Sequence, residues 1–168
     1  AKELDGGNYP FIQTGDVRAA NGGIIRKYNQ TYNETGLKQS RLWPKNTLCL
    51  TIAANIGETA FLGFDACFPD SVVGIVEYSG LSNINYISYY MQRVKQDLNR
   101  IAPATAQKNI NIDILEKVPF PLPPDIATQE AVVAEIESYF SVCDKLEESI
   151  AQSLEQAEAL RQSILKKA

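Results

Sequence analysis

A chain of 168 residues is enough for one ordinary domain and little more. Apolar residues make up 45 %, which supports a real core and excludes a disordered chain. The complete absence of histidine removes Ser-His and Cys-His nucleophile pairs, His-based metal sites and the commonest general base. The net charge of −4 averages two unlike parts. Residues 125–168 hold nine acids and four bases, whereas residues 1–124 hold eleven acids and twelve bases. No apolar run is long enough to span a membrane, and "AKELDGGNYPF" at the start is not a basic-then-apolar leader. Cys49, Cys67 and Cys143 lack ligand-like spacing and each lies in an apolar run. They read as small buried thiols in a reducing, cytoplasmic setting.

In chain order, "YPFIQT" predicts a strand ended by Gly15-Asp16, and Asn21-Gly22-Gly23 a turn, because these residues tolerate positive φ. "GIIRKY" predicts a second strand. Residues 29–41 are polar without an apolar period and read as loop. "NTLCLTIA" sets Leu48, Leu50 and Ile52 against Cys49, Thr51 and Ala53, a period of two that predicts a strand buried on both faces. "ETAFL" and "DSVVGIVEY" predict two more strands. A helix is expected from an N-cap at Ser82, with Ile84, Ile87, Tyr90/Met91, Val94, Leu98 and Ile101 on one face and Pro103 ending it. Lys117 to Leu122 reads as an edge strand, because Pro119 and Pro121 cannot donate to a ladder.

The strongest period lies beyond Asp125. Ile136, Cys143, Ile150, Ala157 and Ile164 are seven residues apart throughout. Tyr139, Leu146 and Leu160 follow their seam neighbours by three residues, and Leu154 follows Ile150 by four. This is a coiled-coil seam sustained for about four heptads, which asks for a partner helix. The alternative is a helix packed on its own domain, but at 1.5 Å per residue such a helix outreaches a domain of this size. The expected fold class is therefore α+β, with a small, mixed, β-rich domain over residues 1–124 and one long coiled-coil helix over residues 125–168.

Few residues suggest catalysis. Pro69-Asp70 followed by Glu77 has the outline of a metal-dependent nuclease, but Ser79 stands where such a site wants lysine. No Gly-rich phosphate loop or methyl-donor loop is visible, and no cofactor or metal is expected. What remains suits nucleic acid. Residues 17–45 carry six bases, Arg18, Arg26, Lys27, Lys38, Arg41 and Lys45, against the single acid Glu34. With Asn21, Asn29, Gln30, Tyr32 and Gln39 they could contact bases and phosphates, and Gln107-Lys108-Asn109 adds a second polar loop.

Three stretches together resemble the DNA-specificity (S) subunit of Type I restriction–modification enzymes. "YPFIQTGDVR" is similar to the opening of that family's target-recognition domain. "NTLCLTIAANIGETAFLGFDACFPDSVVGI" resembles its central strands. "AQKNINIDILEKVPFPLPPDIATQEAVVAEIE" resembles its junction into a spacer helix. The resemblance implies a non-catalytic subunit whose domain reads half of a split site in double-stranded DNA. It also implies docking of methylation and restriction subunits and a helix acting as a ruler. One such domain and one helix make about half of a typical S subunit, so a fragment or a half-subunit is expected, the latter as an antiparallel homodimer through its helices. An enzyme using Asp70 and Glu77, or a coiled-coil adaptor that does not bind DNA, are the alternative readings.

Overall fold

The computed structural model describes residues 2–102 and 109–166. It divides into two compact units, Ala1–Gln129 and Glu130–Ala168.

In the first unit, β1 (Asp5–Phe11) pairs antiparallel with β3 (Gln30–Tyr32) in a two-stranded ribbon. A four-stranded sheet has the order β2 (Ile24–Ile25), β5 (Thr59–Leu62), β4 (Leu48–Thr51), β6 (Val72–Ile75). β2 runs parallel to β5, and β4 is antiparallel to both of its neighbours. β4 is buried along its whole length, as its alternating apolar pattern predicts. Cys49 faces one core with Ile12, Val17, Ile25, Leu62 and Phe68. Leu50 faces the other with Ile56, Met91, Val94 and Leu98. Adjacent side chains of a strand point to opposite faces, so a central strand covered on both sides must be apolar throughout. Helix α1 (Thr14–Ala20) supplies Val17 to the first core, and α3 (Ile84–Ile101) supplies Met91, Val94 and Leu98 to the second.

Several expectations are corrected. β1 ends at Phe11, and Gly15-Asp16 lies inside α1 rather than ending a strand. The Asp16 carboxylate accepts the Gln13 amide at 2.8 Å, which closes the first turn of the helix. Residues 29–41 contain β3 and the short helix α2 (Glu34–Lys38). α3 is capped by Asn83, whose side-chain oxygen accepts from the Asn85 and Tyr86 amides, not by Ser82. Its last residue, Ile101, is half exposed, and Pro103 lies outside the described residues. Helix α4 (Ile112–Leu115), capped by Asn111, was not expected; four residues are too few to show a period.

Residues 117–122 form a strap rather than a strand. The Tyr86 hydroxyl donates to the Pro121 carbonyl at 2.6 Å and the Tyr90 hydroxyl to the Pro119 carbonyl. Phe120 packs edge-on to both tyrosine rings. The prolines cannot donate, but their carbonyls still accept, so the strap is fastened from the α3 side.

Helix α5 (Ile126–Leu165) begins immediately after Asp125. The Asp125 carboxylate accepts the Thr128 amide at 2.7 Å and the Thr128 hydroxyl at 2.8 Å, and these bonds hold it below the usual carboxylate range. Gln129 is the structural key of the first turn and is wholly buried. Its Oε1 accepts the Asn83 amide at 2.7 Å, and its Nε2 donates to the carbonyls of Leu81 at 3.2 Å and Pro123 at 2.9 Å. Both functions of the amide are therefore satisfied, which is the condition for burying it. Beyond this turn the seam residues Tyr139, Cys143, Leu146, Ile150, Leu154, Ala157, Leu160 and Ile164 are exposed on the single chain, while Ile136 is half-buried. The expectation of three buried thiols is thus corrected: Cys49 and Cys67 are buried, but Cys143 is exposed. Burial pushes the Cys49 thiol up to about 12.

Candidate nucleic-acid interface

The basic stretch is built on α1, the β2–β3 connection and α2. Arg18 projects from the last turn of α1, and Asn21 ends that helix in the left-handed conformation at φ 46°. The role of Asn21 there is the turn that its sequence predicts. Arg18 Nη1 donates to Asn55 Oδ1 at 3.2 Å. Asn109 forms an antiparallel bridge with Ala53. Arg18, Asn55 and Asn109 therefore border one turn, Ala53 to Gly57, although they come from three distant parts of the chain. The turn needs Gly57: its φ is 83°, and a Cβ there would run into Lys95. Thr51 secures it from within, its hydroxyl donating to the Asn55 carbonyl and accepting the Glu58 amide at 3.0 Å.

Arg26 and Lys27 are exposed beside a shallow depression that Asp16, Ala19, Ala20 and Asn29 help to line. Gln30 is partly committed, since its Oε1 accepts from Gln13 Nε2 at 2.7 Å. Tyr28 meets Phe64 edge-on, and Tyr32 stacks on Phe11 with ring centroids 4.2 Å apart. Tyr32 is thus partly buried against β1, whereas Tyr28 remains exposed.

Lys38, Gln39 and Arg41 follow from α2. Asn33 fixes this helix in two ways. Its Oδ1 accepts the amides of Thr35 and Gly36, while its Nδ2 donates to the carbonyls of Glu3 and Asp5. Glu34, the one acid of the stretch, accepts the Tyr9 hydroxyl at 2.7 Å. That bond is the first cause of the raised Tyr9 pKa. Lys38 and Gln39 are exposed. The Arg41 guanidinium carbon sits 4.2 Å over the Trp43 ring, and Trp43 stacks on Phe68 at 5.1 Å. The stack presses against the backbone of β6 at Gly74, where a Cβ would lie 2.7 Å from the indole. Arg41 is thus held over a rigid aromatic base, a favourable cation–π arrangement. Beside it opens a cleft of about 380 Å³ to which Tyr32, Gln39, Arg41 and Asp70 contribute.

Of the predicted residues, the structure thus brings Arg18 and Asn109 to the Ala53–Gly57 turn and Lys38, Gln39 and Arg41 to the end of α2, whereas Arg26 and Lys27 line a separate depression and Gln30 bonds to Gln13. Gln107 and Lys108 lie outside the described residues. Asn55, Trp43 and the cleft position of Asp70 were missed by sequence reasoning, because their partners are distant in the chain. The Asn-Ile-Gly turn was the one local signal that pointed to Asn55.

The nuclease outline does not assemble. Glu77 accepts the amides of Ser79 and Gly80 at 3.0 and 2.8 Å and the Ser79 hydroxyl, and these bonds lower its pKa. It serves its own turn, whereas Asp70 lines the cleft. Among the described residues no group of three or more Cys, Asp or Glu is placed to hold a metal ion.

This combination, a small mixed domain with polar, basic loops running into a long helix, is the fold of restriction-system S subunits. One similar chain comes from a study of the structural basis of complex assembly and conformational transition of the type I R-M system. It shows a TM-score of 0.74 and 18 % identity over 96 % of this chain and 38 % of that one. The HsdS subunit from Thermoanaerobacter tengcongensis matches with a TM-score of 0.66 and 17 % identity, over 87 % of this chain and 33 % of that one. The type I restriction–modification S subunit from M. genitalium matches with a TM-score of 0.57 and 17 % identity, over 84 % and 34 %. The chain therefore spans between a third and two-fifths of the length of the structures it matches. Residues 1–156 match the family model for the Type I restriction modification DNA specificity domain, and the chain belongs to that family.

Proposed function

We propose that this chain is a DNA-recognition module of a type I restriction–modification system and reads one half of a split target in double-stranded DNA. The observation that carries this reading is the family match, which runs without a break from the compact unit through most of α5. In this reading residues 1–124 are the target-recognition domain and residues 125–168 the spacer. The module is non-catalytic, works without a cofactor, and docks methylation and restriction subunits. DNA contact is assigned to Arg18, Asn21, Arg26, Lys27, Gln30, Lys38, Gln39 and Arg41, with Gln107, Lys108 and Asn109. These positions combine donors for phosphate with side chains that pair with base edges.

The spacer pairs with a second copy, antiparallel. Residues 125–148 carry seven acids and one base, whereas the far end carries Arg161, Lys166 and Lys167. Antiparallel packing sets those bases beside the partner's acids. The seam is symmetric about Ile150, so that Ile136 falls level with Ile164 and Cys143 with Ala157. Two copies then supply two recognition domains.

The test is selection of bound duplexes from a random pool by the purified chain. One short enriched motif, repeated at a fixed spacing, is expected. Each neutralised phosphate contributes about −0.9 to the slope of log K against log salt, so Lys38→Ala should reduce that slope by roughly one for every duplex. Failure to enrich any motif at low salt overturns the reading.

A further inference from the structure

We propose that the cleft between the end of α2 and the start of β6 reads a single G·C base pair, with Arg41 donating to the guanine and Asp70 accepting from the cytosine. This assignment rests on the DNA-recognition reading above and narrows it to one pair of residues. Asp70 lies 29 positions beyond Arg41 in the chain, yet both line the same cleft. The ion pairs among the described residues are Lys95–Glu58, Arg100–Asp97 and Arg161–Glu158, and neither Arg41 nor Asp70 takes part. Two opposite charges thus share an open cleft without neutralising each other.

The packing explains why they stay apart. Arg41 rests on Trp43, Trp43 stacks on Phe68, and the missing side chain of Gly74 lets the indole seat against β6. The guanidinium is held in place before any ligand arrives, which lowers the ordering cost of binding. Asp70 is exposed and follows Pro69.

The mixture of charges selects the ligand. A phosphate is disfavoured, because the Asp70 carboxylate accepts only and repels an anion. A base-pair edge in the major groove fits. Guanine offers N7 and O6, which match the paired donors of an arginine, and cytosine offers the N4 amino group, which matches a carboxylate. An A·T pair fails on both sides: adenine places a donor where arginine donates, and thymine places O4 against the carboxylate. The carboxylate that looked like half of a nuclease site becomes the partner that makes Arg41 selective rather than merely attractive to DNA.

The experiment is duplex selection with the full chain and with Arg41→Ala and Asp70→Asn, each checked for an unchanged melting curve. The wild-type motif should contain a fixed G·C position in each half. Both variants should relax that same position, with discrimination falling by roughly 5- to 150-fold, while the other positions hold. A motif that both variants keep unchanged overturns this assignment alone. So does uniform weakening on every duplex, since it marks Arg41 as a phosphate contact. If the wild-type chain enriches no motif at all, the recognition reading falls and this assignment falls with it.

Discussion

Leu50 and Leu154 sit in strongly patterned stretches of the same chain, yet Leu50 is fully buried and Leu154 is 71 % exposed. The compact unit closes over its apolar residues with its own sheet and helices. Most of α5 does not: Leu146, Ile150, Leu160 and Ile164 are each more than half exposed on the single chain. Burying a leucine or isoleucine side chain gains about 1.5–3 kcal/mol. The first region has taken that gain within one chain, whereas the second leaves it available to an association. The difference separates what makes the fold stable from what makes an assembly possible.

The sharpest break of this comparison is Ile150→Asp. It places a carboxylate at the centre of the proposed seam, where burial without a partner is prohibitive. The wild-type chain should be dimeric and the variant monomeric by light scattering, with the melting of the compact unit unaltered. A wild-type chain that is monomeric at high concentration removes the seam's role. In the other region, Leu50→Ala opens a cavity between β4 and α3 and should lower stability by about 2–5 kcal/mol in urea unfolding, without changing the oligomeric state. If it dissolves the dimer instead, the two regions do not have separate roles.

Gln129→Leu probes the joint between the strap, the α3 cap and the first turn of α5. It deprives the Asn83 amide and the Leu81 and Pro123 carbonyls of their partner. A fully buried orphaned group costs about 1–3 kcal/mol, and these partly buried ones less where water reaches them. Urea unfolding should shift accordingly, and an unchanged midpoint would show that the joint carries no stability. The smallest expected effect belongs to Asp125. Its folded pKa lies below the ordinary 3.8, so its contribution is complete above that value and is lost as pH falls through the lowered one. The melting temperatures of wild type and Asp125→Asn should therefore differ most near neutral pH and converge in acid. A gap that widens in acid would contradict the capping bonds.

Period and end signals explain which elements could be anticipated. β4, α3 and α5 announce themselves because a strand buried on both faces, an amphipathic helix and a seven-residue seam each repeat over many positions. The first strand was displaced because "YPFIQT" looks extended, while the Gln13–Asp16 bond that starts α1 is a matter of local geometry. The strap at 117–122 looked like an edge strand because its prolines forbid pairing only on the donor side. Its fastening comes from Tyr86 and Tyr90, some thirty positions earlier. Among the candidate contacts, the basic residues of 17–45 could be named from composition, but not which of them were already engaged.

By itself, the sequence determined the two-part plan, a mixed domain with both faces of its central strand buried and a long helix with an apolar seam, because repeating patterns act between near neighbours. Only the tertiary structure decided that Arg18 meets Asn55, that Asn109 lies beside Ala53, that Gln129 is buried with three backbone partners, and that Asp70 shares a cleft with Arg41. The pairings at the Ala53–Gly57 turn and in the cleft depend on how β2, β5, β4 and β6 are ordered, and the Gln129 pairing on how the strap and the α3 cap meet the first turn of α5. Turn and pattern set the register of neighbouring strands, but which distant segments meet is decided by the packing of both cores at once.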